Sequence, residues 1–128
     1  GHDALSGDGG ADWMSGGAGN DVFWVDDVGD AVEELAGEGY DRVHVTASWT
    51  LTAGAEVEVL AVQNPVSLVA LDIAGNEFGQ RLGGNAAANR LTGAGGRDVV
   101  RGEGGADAFV LLAASDSTLA WSGRDWWE

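Results

Sequence analysis

A period of nine residues is the feature that most constrains this chain. Asp3, Asp12 and Asp21 lie nine residues apart, and an apolar residue follows each of them two positions later. The same spacing returns near the C-terminus, where it is carried by Asp98 and Asp107. A fixed period of this kind indicates a repeat architecture, in which each unit is stable only when it stacks on its neighbours.

The repeating units are glycine-rich nonapeptides with aspartate at position six and an apolar residue at position eight. Four are complete, at residues 7–15, 16–24, 93–101 and 102–110, and a clipped copy precedes the first. In the earlier members of the C-terminal block, Gln80 and Asn89 take the acidic position, and residues 84–89 have lost most of their glycines. We therefore expect the loop at residues 84–89 to bind metal weakly or not at all.

One apolar residue per nonapeptide cannot fold a strand alone, so the strands must stack. If two nonapeptides make one turn, Asp3 lies beneath Asp21 and Asn89 beneath Asp107, 18 residues apart in each case. The sequence thus predicts an all-β fold, a parallel β-roll (β-solenoid) of stacked nonapeptide repeats. Its interior stack is expected to contain Leu5, Met14, Phe23, Ile73, Leu82, Leu91, Val100 and Phe109.

The stretch between the two repeat blocks is richer in Val, Leu, Thr and Trp. Alternation of apolar and polar residues at 43–46 and 57–62 predicts strands. Asp30 keeps the nine-residue beat, but Asp41 arrives two residues late, so we expect a bulge or a widened loop before it. Residues 30–36 are the only candidate for a helix, and a short one.

These observations divide the chain into four segments. We expect an N-terminal repeat block at residues 1–24, a strand-rich spacer continuing the solenoid at 25–74, a C-terminal repeat block at 75–110 and an atypical tail at 111–128.

The composition limits the kinds of partner that this chain can bind. The net charge of −15, from 21 acidic against 6 basic residues, argues against nucleic acid and anionic membranes and favours a cation. The absence of cysteine excludes disulfides and thiolate metal sites, which leaves oxygen ligands. No apolar run is long enough to span a membrane. The chain begins with glycine, and we interpret it as a module with parent domains upstream.

Calcium is the cation that this pattern fits best. Glycine-rich turns can aim backbone carbonyls inward, and calcium accepts six to eight hard oxygens at about 2.3–2.6 Å. Carbonyls from two stacked loops plus an aspartate from each would supply such a shell, whereas magnesium fits less well. About four calcium ions would offset roughly half of the net charge of −15. We expect binding and folding to be coupled, with the metal-free chain largely disordered.

The segment Gly-Gly-Ala-Gly-Asn-Asp-Val-Phe at residues 16–23 resembles the repeat of the RTX (repeats-in-toxin, hemolysin-type) family, and the likeness extends over roughly residues 1–118. The resemblance implies that one ion is bound by the first- and third-position carbonyls and the sixth-position aspartate, with the next stacked loop closing the shell. The ligands implied are Gly7, Gly9, Asp12, Gly16, Ala18, Asp21, Gly93, Gly95, Asp98, Gly102, Gly104 and Asp107. It also implies a secreted, extracellular bacterial protein exported by a type I machine.

Three further aspartates are candidate calcium ligands. Asp3 belongs to the clipped repeat, whereas Asp30 and Asp41 lie in loops without a full set of glycines. The alternative role of Asp30 and Asp41 is to accept hydrogen bonds within a turn.

Trp13 and Trp24 occupy outward positions of their repeats. We favour packing at an edge for these side chains over a platform that binds carbohydrate.

The chain contains no recognisable catalytic motif. It lacks a His-Glu-x-x-His zinc site and a Gly-x-Ser-x-Gly elbow, so we interpret it as a non-enzymatic calcium-binding module. The alternatives are the C-terminal region of a secreted protease, lipase, epimerase or pore-forming toxin, and an adhesin or matrix protein. Residues 116–118 resemble the usual continuation after the last repeat, but residues 119–128 do not resemble the family, and no structure or role is assigned to them.

Overall fold

Short strands stacked in parallel make up this protein. The computed structural model describes residues 1–64 and 66–110, together with the course of the backbone in two strands at 118–120 and 126–127. In chain order the strands are β1 Ala4–Ser6, β2 Trp13–Ser15, β3 Val22–Val25, β4 Ala31–Glu33, β5 Arg42–Val45, β6 Trp49–Thr50, β7 Val59–Val62, β8 Asp72–Ala74, β9 Arg81–Gly83, β10 Arg90–Thr92, β11 Val99–Arg101, β12 Ala108–Val110, β13 Thr118–Ala120 and β14 Trp126–Trp127.

Successive strands alternate between two faces of the solenoid. The odd-numbered strands form one sheet in the order β1-β3-β5-β7-β9-β11-β13. On the other face, β2 pairs with β4, and a separate sheet runs β14-β12-β10-β8-β6. All pairs are parallel, with Leu5 opposite Phe23 and Leu91 opposite Phe109. The predicted all-β parallel β-roll is therefore confirmed.

The eighth residue of each repeat points into the solenoid. Met14, Phe23, Ile73, Leu82, Leu91, Val100 and Phe109 are all at most 4% exposed. Leu5 lies on β1, the edge strand of its sheet, and packs half-buried against the same core. The expected interior stack is confirmed, and its burial is the main apolar contribution to stability.

The spacer continues the solenoid with irregular loops. Strands β5 and β7 form where alternation predicts them, and their inward residues Val43 and Leu60 are fully buried. The two-residue slip lies in the loop between β4 and β5, which widens so that Val43 still pairs with Phe23.

The candidate helix at residues 30–36 is wrong. Strand β4 occupies Ala31–Glu33, because the nine-residue beat places Val32 in the interior stack, where it is fully buried. A turn follows at residues 36–37. The repeat register thus overrides the local helical pattern.

The face that carries the even strands is interrupted between β4 and β6. The backbone N–H of Val32 donates to Thr52 Oγ1 at 3.0 Å instead of to a strand partner. The indole Nε1–H of Trp49 donates to the carbonyl of Asp30 at 2.9 Å, and this side chain is buried. Side-chain hydrogen bonds therefore join the two halves of this face.

Strand pairing extends beyond the last complete repeat. β13 pairs with β11, and β14 pairs with β12 with Phe109 opposite Trp127. The solenoid therefore reaches into residues 119–128, to which the sequence pattern assigned no structure. Asp116 and Ser117, the start of the family-like continuation, lie outside the described residues. Among the described residues, no helix is long and apolar enough to cross a membrane.

Candidate metal centre

A ladder of side-chain hydrogen bonds runs up the sixth positions of the repeats. The carboxylate Oδ1 of Asp21 accepts the backbone N–H of Asp3 at 2.6 Å, and Oδ1 of Asp30 accepts that of Asp12 at 3.0 Å. In the C-terminal repeats, Oδ1 of Asp107 accepts the backbone N–H of Asn89 at 2.7 Å. Each step spans 18 residues, so one aspartate ties its own coil to the coil before it.

Three sixth-position aspartates keep one carboxylate oxygen inside the loop. The Oδ2 atoms of Asp12, Asp21 and Asp41 are buried and have no hydrogen-bond partner among the described residues. A buried carboxylate oxygen without a partner is costly, and it is retained only when something compensates the charge. These oxygens therefore face the interior of the loops as free hard donors.

Glycine at position one is explained by the same carboxylates. A Cβ on Gly7 would overlap the side chain of Asp12, and a Cβ on Gly16 would lie 2.5 Å from Oδ2 of Asp21. The two C-terminal repeats show the same contact, between Gly93 and Asp98 and between Gly102 and Asp107. In a loop of this regular length, a side chain at position one would displace the sixth-position carboxylate.

Stacking of the loops places the first-position carbonyl of one coil beside the first-position glycine of the coil before. A Cβ on Gly84 would lie 2.6 Å from the carbonyl oxygen of Gly102, and one on Gly75 would lie 2.7 Å from that of Gly93. The carbonyls expected as ligands at Gly93 and Gly102 thus point toward the loop of the preceding coil. At both places the carbonyl lies in the same narrow space as an amide side-chain oxygen of the coil before, that of Asn89 or of Gln80.

The second and fourth positions of the complete repeats have positive φ. At position four the residue is always glycine, with φ of 114°, 133°, 81° and 92° in the four repeats. At position two φ is 60° for Asp8, 74° for Gly17, and 71° for both Ala94 and Glu103. Positive φ at these two alternate positions bends the loop sharply, and turns of this kind can arrange peptide groups around a bound ion.

Two loops of the C-terminal half are filled by amide side chains. Gln80 Nε2 donates to Asn76 Oδ1 at 2.6 Å, and Asn76 Nδ2 donates to the carbonyls of Thr52 and Ala55 at 2.8 and 2.7 Å. In the next loop, Asn89 Oδ1 accepts the backbone N–H of Asn85 at 2.8 Å. Here amide groups replace the carboxylates, and hydrogen bonds within the protein occupy the loop.

The largest concentration of buried charge lies where the register slips. One oxygen from each of Asp21, Glu34 and Asp41 lies within 4.8 Å of the others, and all three side chains are 1% exposed. Burial, followed by the charge of Asp41, raises the pKa of Glu34 to about 8. Burial also raises the pKa of Asp41. The sequence pattern missed Glu34, because position one of the repeat is normally glycine and is not a side-chain ligand.

The other candidate ligands occupy different environments. Asp3 is exposed at the N-terminal edge. The carbonyl of Ala18 accepts a hydrogen bond of 2.6 Å from the amino group of Gly1. Both oxygens of Asp30 are engaged, Oδ1 by Asp12 and Oδ2 by the N–H groups of Asp26 and Asp27 at 3.1 Å, which is a turn arrangement.

The remaining candidate glycines lie where the loops stack. Gly95 is packed over Glu77 and Gly104 over Ala86, so the third positions of the C-terminal repeats touch the backbone of the coil before. Gly9 has open space around it.

The two outward tryptophans differ from each other. Trp13 is 68% exposed on β2, beside a pocket of about 170 Å³ that is also lined by Leu35 and Thr52. Trp24 is half-buried, and its ring stacks on that of His44 with centroids 5.9 Å apart. Burial, and then the charge of Arg42, lowers the pKa of His44.

The donor set fits a hard divalent cation. The loops offer carboxylate and carbonyl oxygens, the chain has no cysteine, and His44 lies on a strand rather than in a loop. Partnerless buried oxygens of Asp12, Asp21 and Asp41 supply a physical reason for a cation to be bound there.

Comparison with known proteins also identifies calcium-binding repeats in this chain. The family model of the RTX calcium-binding nonapeptide repeat matches four copies, in residues 1–30 and 83–117, which together make up half of the chain. No curated protein and no solved structure matches this chain. The matched segments contain the glycine-rich loops and the sixth-position ladder described above, and the repeats of this family form a structural module rather than a catalytic one. The chain belongs to the family of RTX calcium-binding repeat proteins.

Proposed function

We propose that this chain is a calcium-dependent folding module of a secreted bacterial protein. In this proposal calcium ions lie between stacked loops and are held by first- and third-position carbonyls and sixth-position aspartates. The observation that carries the proposal is the divided use of the Asp21 carboxylate: Oδ1 joins two coils, while Oδ2 is buried without a partner among the described residues.

The proposed ligands are those implied by the repeat pattern. They are Asp3, Gly7, Gly9, Asp12, Gly16, Ala18, Asp21, Asp30, Asp41, Gly93, Gly95, Asp98, Gly102, Gly104 and Asp107. The strongest support is for Asp12, Asp21 and Asp41, because each has a buried oxygen without a partner among the described residues. Asp30 has the weakest, because turn N–H groups use its second oxygen.

The two repeat blocks, residues 1–24 and 75–110, hold most of these ligands, and residues 25–74 join them. A net charge of −15 opposes compaction of the metal-free chain, so we propose that it stays largely unfolded until calcium reaches it. Export before folding would suit a protein that meets abundant calcium only outside the cell. Membership of the RTX family supports this location and a parent protein with further domains.

Far-ultraviolet circular dichroism of the purified chain tests the proposal. The spectrum is recorded in EDTA and then across a calcium titration, with a parallel magnesium titration. We expect a cooperative change from disorder to β structure with calcium alone. An identical β spectrum in EDTA and in saturating calcium, with no heat of calcium binding, would overturn the proposal.

A further inference from the structure

Glu34 occupies a place that the regular repeats give to glycine. It follows the last residue of β4 directly, as Gly16 follows the last residue of β2. In the regular loop, a side chain at this place would overlap the sixth-position carboxylate, as it would between Gly16 and Asp21. The loop from residue 34 to Asp41 is two residues longer, and the wider loop accommodates the glutamate side chain. The inserted residues and the exchange of glycine for glutamate are therefore linked.

Glu34 and the two aspartates beside it carry four buried oxygens that have no hydrogen-bond partner among the described residues. Both carboxylate oxygens of Glu34 are buried without a hydrogen-bond partner, as are Oδ2 of Asp21 and Oδ2 of Asp41. Oδ1 of Asp41 accepts the backbone N–H of Asp21 at 2.8 Å, so the ladder fixes the position of both aspartates. Glu34 is 1% exposed, which means that water does not solvate its charge.

Within the part of the chain that the structure describes, no positive charge acts on the Glu34 carboxyl. The charges that act on its carboxyl are those of Asp41, Asp21 and Glu38, and all three are negative. The backbone N–H of Asp41 is already taken, because it donates to Glu58 Oε2 at 2.7 Å. Three buried carboxylates without a positive partner would strongly destabilise a fold unless a cation or protons neutralised them.

The spacing of the oxygens suits one ion. Two oxygens bound to the same calcium ion at about 2.4 Å can be no more than roughly 4.8 Å apart. One oxygen from each of the three side chains meets this limit, since they lie within 4.8 Å of one another. All three donors are hard carboxylates, which calcium prefers to the nitrogen and sulfur ligands of zinc or copper.

We propose that Asp21, Glu34 and Asp41 form a three-carboxylate calcium site that differs in kind from the sites of the regular repeats. Glu34 is a side-chain ligand from position one, where the regular repeats contribute only a backbone carbonyl. Three carboxylates bind the ion at this site, and a larger number of charged ligands raises the affinity for calcium. This site therefore fills at a lower calcium concentration than the others. The inference rests on the proposed calcium function and assigns to it one specific site.

Isothermal titration calorimetry of the whole chain with calcium tests this site. Glu34→Gln removes the charge and keeps the size, and Glu33→Gln is its matched control, because Glu33 is the exposed neighbour at the end of β4. We expect Glu34→Gln to lose the tightest binding step, or to weaken it at least about tenfold, while Glu33→Gln binds as the wild type does. Native mass spectrometry should count one calcium ion fewer per chain at low calcium.

A second variant keeps the test decisive if Glu34→Gln does not fold. Glu34→Gly restores the residue that regular repeats have at position one, so it should retain the β spectrum in saturating calcium while the tightest site is lost. If Glu34 is instead held as a neutral acid, Gln mimics that state, and Glu34→Gln binds calcium with wild-type stoichiometry and affinity. That result overturns the three-carboxylate site and leaves the proposed function intact, whereas a wild-type chain that binds no calcium overturns both.

Discussion

The backbone N–H of Asp3 donates a 2.6 Å hydrogen bond to Oδ1 of Asp21, its counterpart one coil later. Strand pairing alone would leave this N–H group at the edge of the strand, and the carboxylate satisfies it. The same group thus has two tasks, since its second oxygen remains buried in the loop. Substitutions can separate these tasks.

Asp21→Asn should weaken calcium-dependent folding by at least about tenfold in calcium concentration at the midpoint. The amide oxygen can still accept the N–H of Asp3, so the ladder survives while the negative ligand is lost. The control is Asp8→Asn, because Asp8 is exposed at position two and Asn tolerates its φ of 60°. Circular dichroism across a calcium titration measures both variants. Equal midpoints would show that the sixth position is not a ligand.

Gly7→Ala should impair the first complete loop, whereas Gly9→Ala should be tolerated. A Cβ at residue 7 would overlap the side chain of Asp12, but a Cβ at residue 9 has nothing within 4 Å. Both changes add the same methyl group to the same loop, so general effects on the unfolded chain cancel. Calorimetric titration with calcium should show weaker binding for Gly7→Ala only. If both variants bind calcium equally well, position one does not control the placement of the carboxylate.

Ala94→Gly should stabilise the calcium-bound protein by about 1 kcal/mol, because an L-residue pays roughly this cost in the left-handed region. The φ of Ala94 is 71°. Ala106, in the next repeat, does not have a positive φ, and Ala106→Gly should destabilise by about 0.5–1 kcal/mol through chain entropy. Urea unfolding in saturating calcium compares the two. Destabilisation by both changes would mean that the loop backbone of Ala94 is unstrained.

His44 should make the calcium-saturated fold less stable in mild acid. Its pKa lies below the ordinary 6.5 in the folded state, because of burial and the charge of Arg42. Above about pH 6.5 the ring is neutral in both states, and as the pH falls below this value the unfolded chain binds the proton more readily. Stability is therefore lost toward low pH.

His44→Gln tests this by removing the titrating ring. Protonation of ligand carboxylates also destabilises the fold in acid, so the measured quantity is the difference between variant and wild type in urea unfolding at about pH 8 and pH 5.5. We expect the wild type to lose more stability than His44→Gln between these two values. A loss of the same size in both proteins would contradict a buried, neutral His44.

The sequence predicts the solenoid well, because one apolar residue every nine positions leaves few ways to bury a core. Phe23 and Phe109 are opposite the partners that an 18-residue turn gives them. The prediction fails where it depends on local pattern, as at Val32, where a short helical pattern yields to the strand register. Loop width is the other limit, because the two-residue slip before Asp41 is visible but its accommodation is not.

The candidate site was predictable for the sixth position and not for position one. Aspartates recur with the period, so Asp21 and Asp41 stand out in the sequence. Glu34 breaks the pattern, and nothing in the spacing shows that its side chain turns inward. The signal that could have found it is the combination of a missing glycine and two extra residues in the same loop. Reading the two irregularities together would have placed an acidic side chain beside Asp41.

The amide-filled loops around Asn76 and Asn85 have a consequence for the order of assembly. In these loops amides stand where the regular repeats have carboxylates, so no charge at the sixth position has to be neutralised there. In a solenoid, each coil is stabilised mainly by the coils next to it. We therefore expect the amide-filled coils to bind no ion of their own and to become ordered only after calcium has ordered a coil beside them. Chelation of calcium at the neighbouring coils would then unfold the amide-filled coils as well.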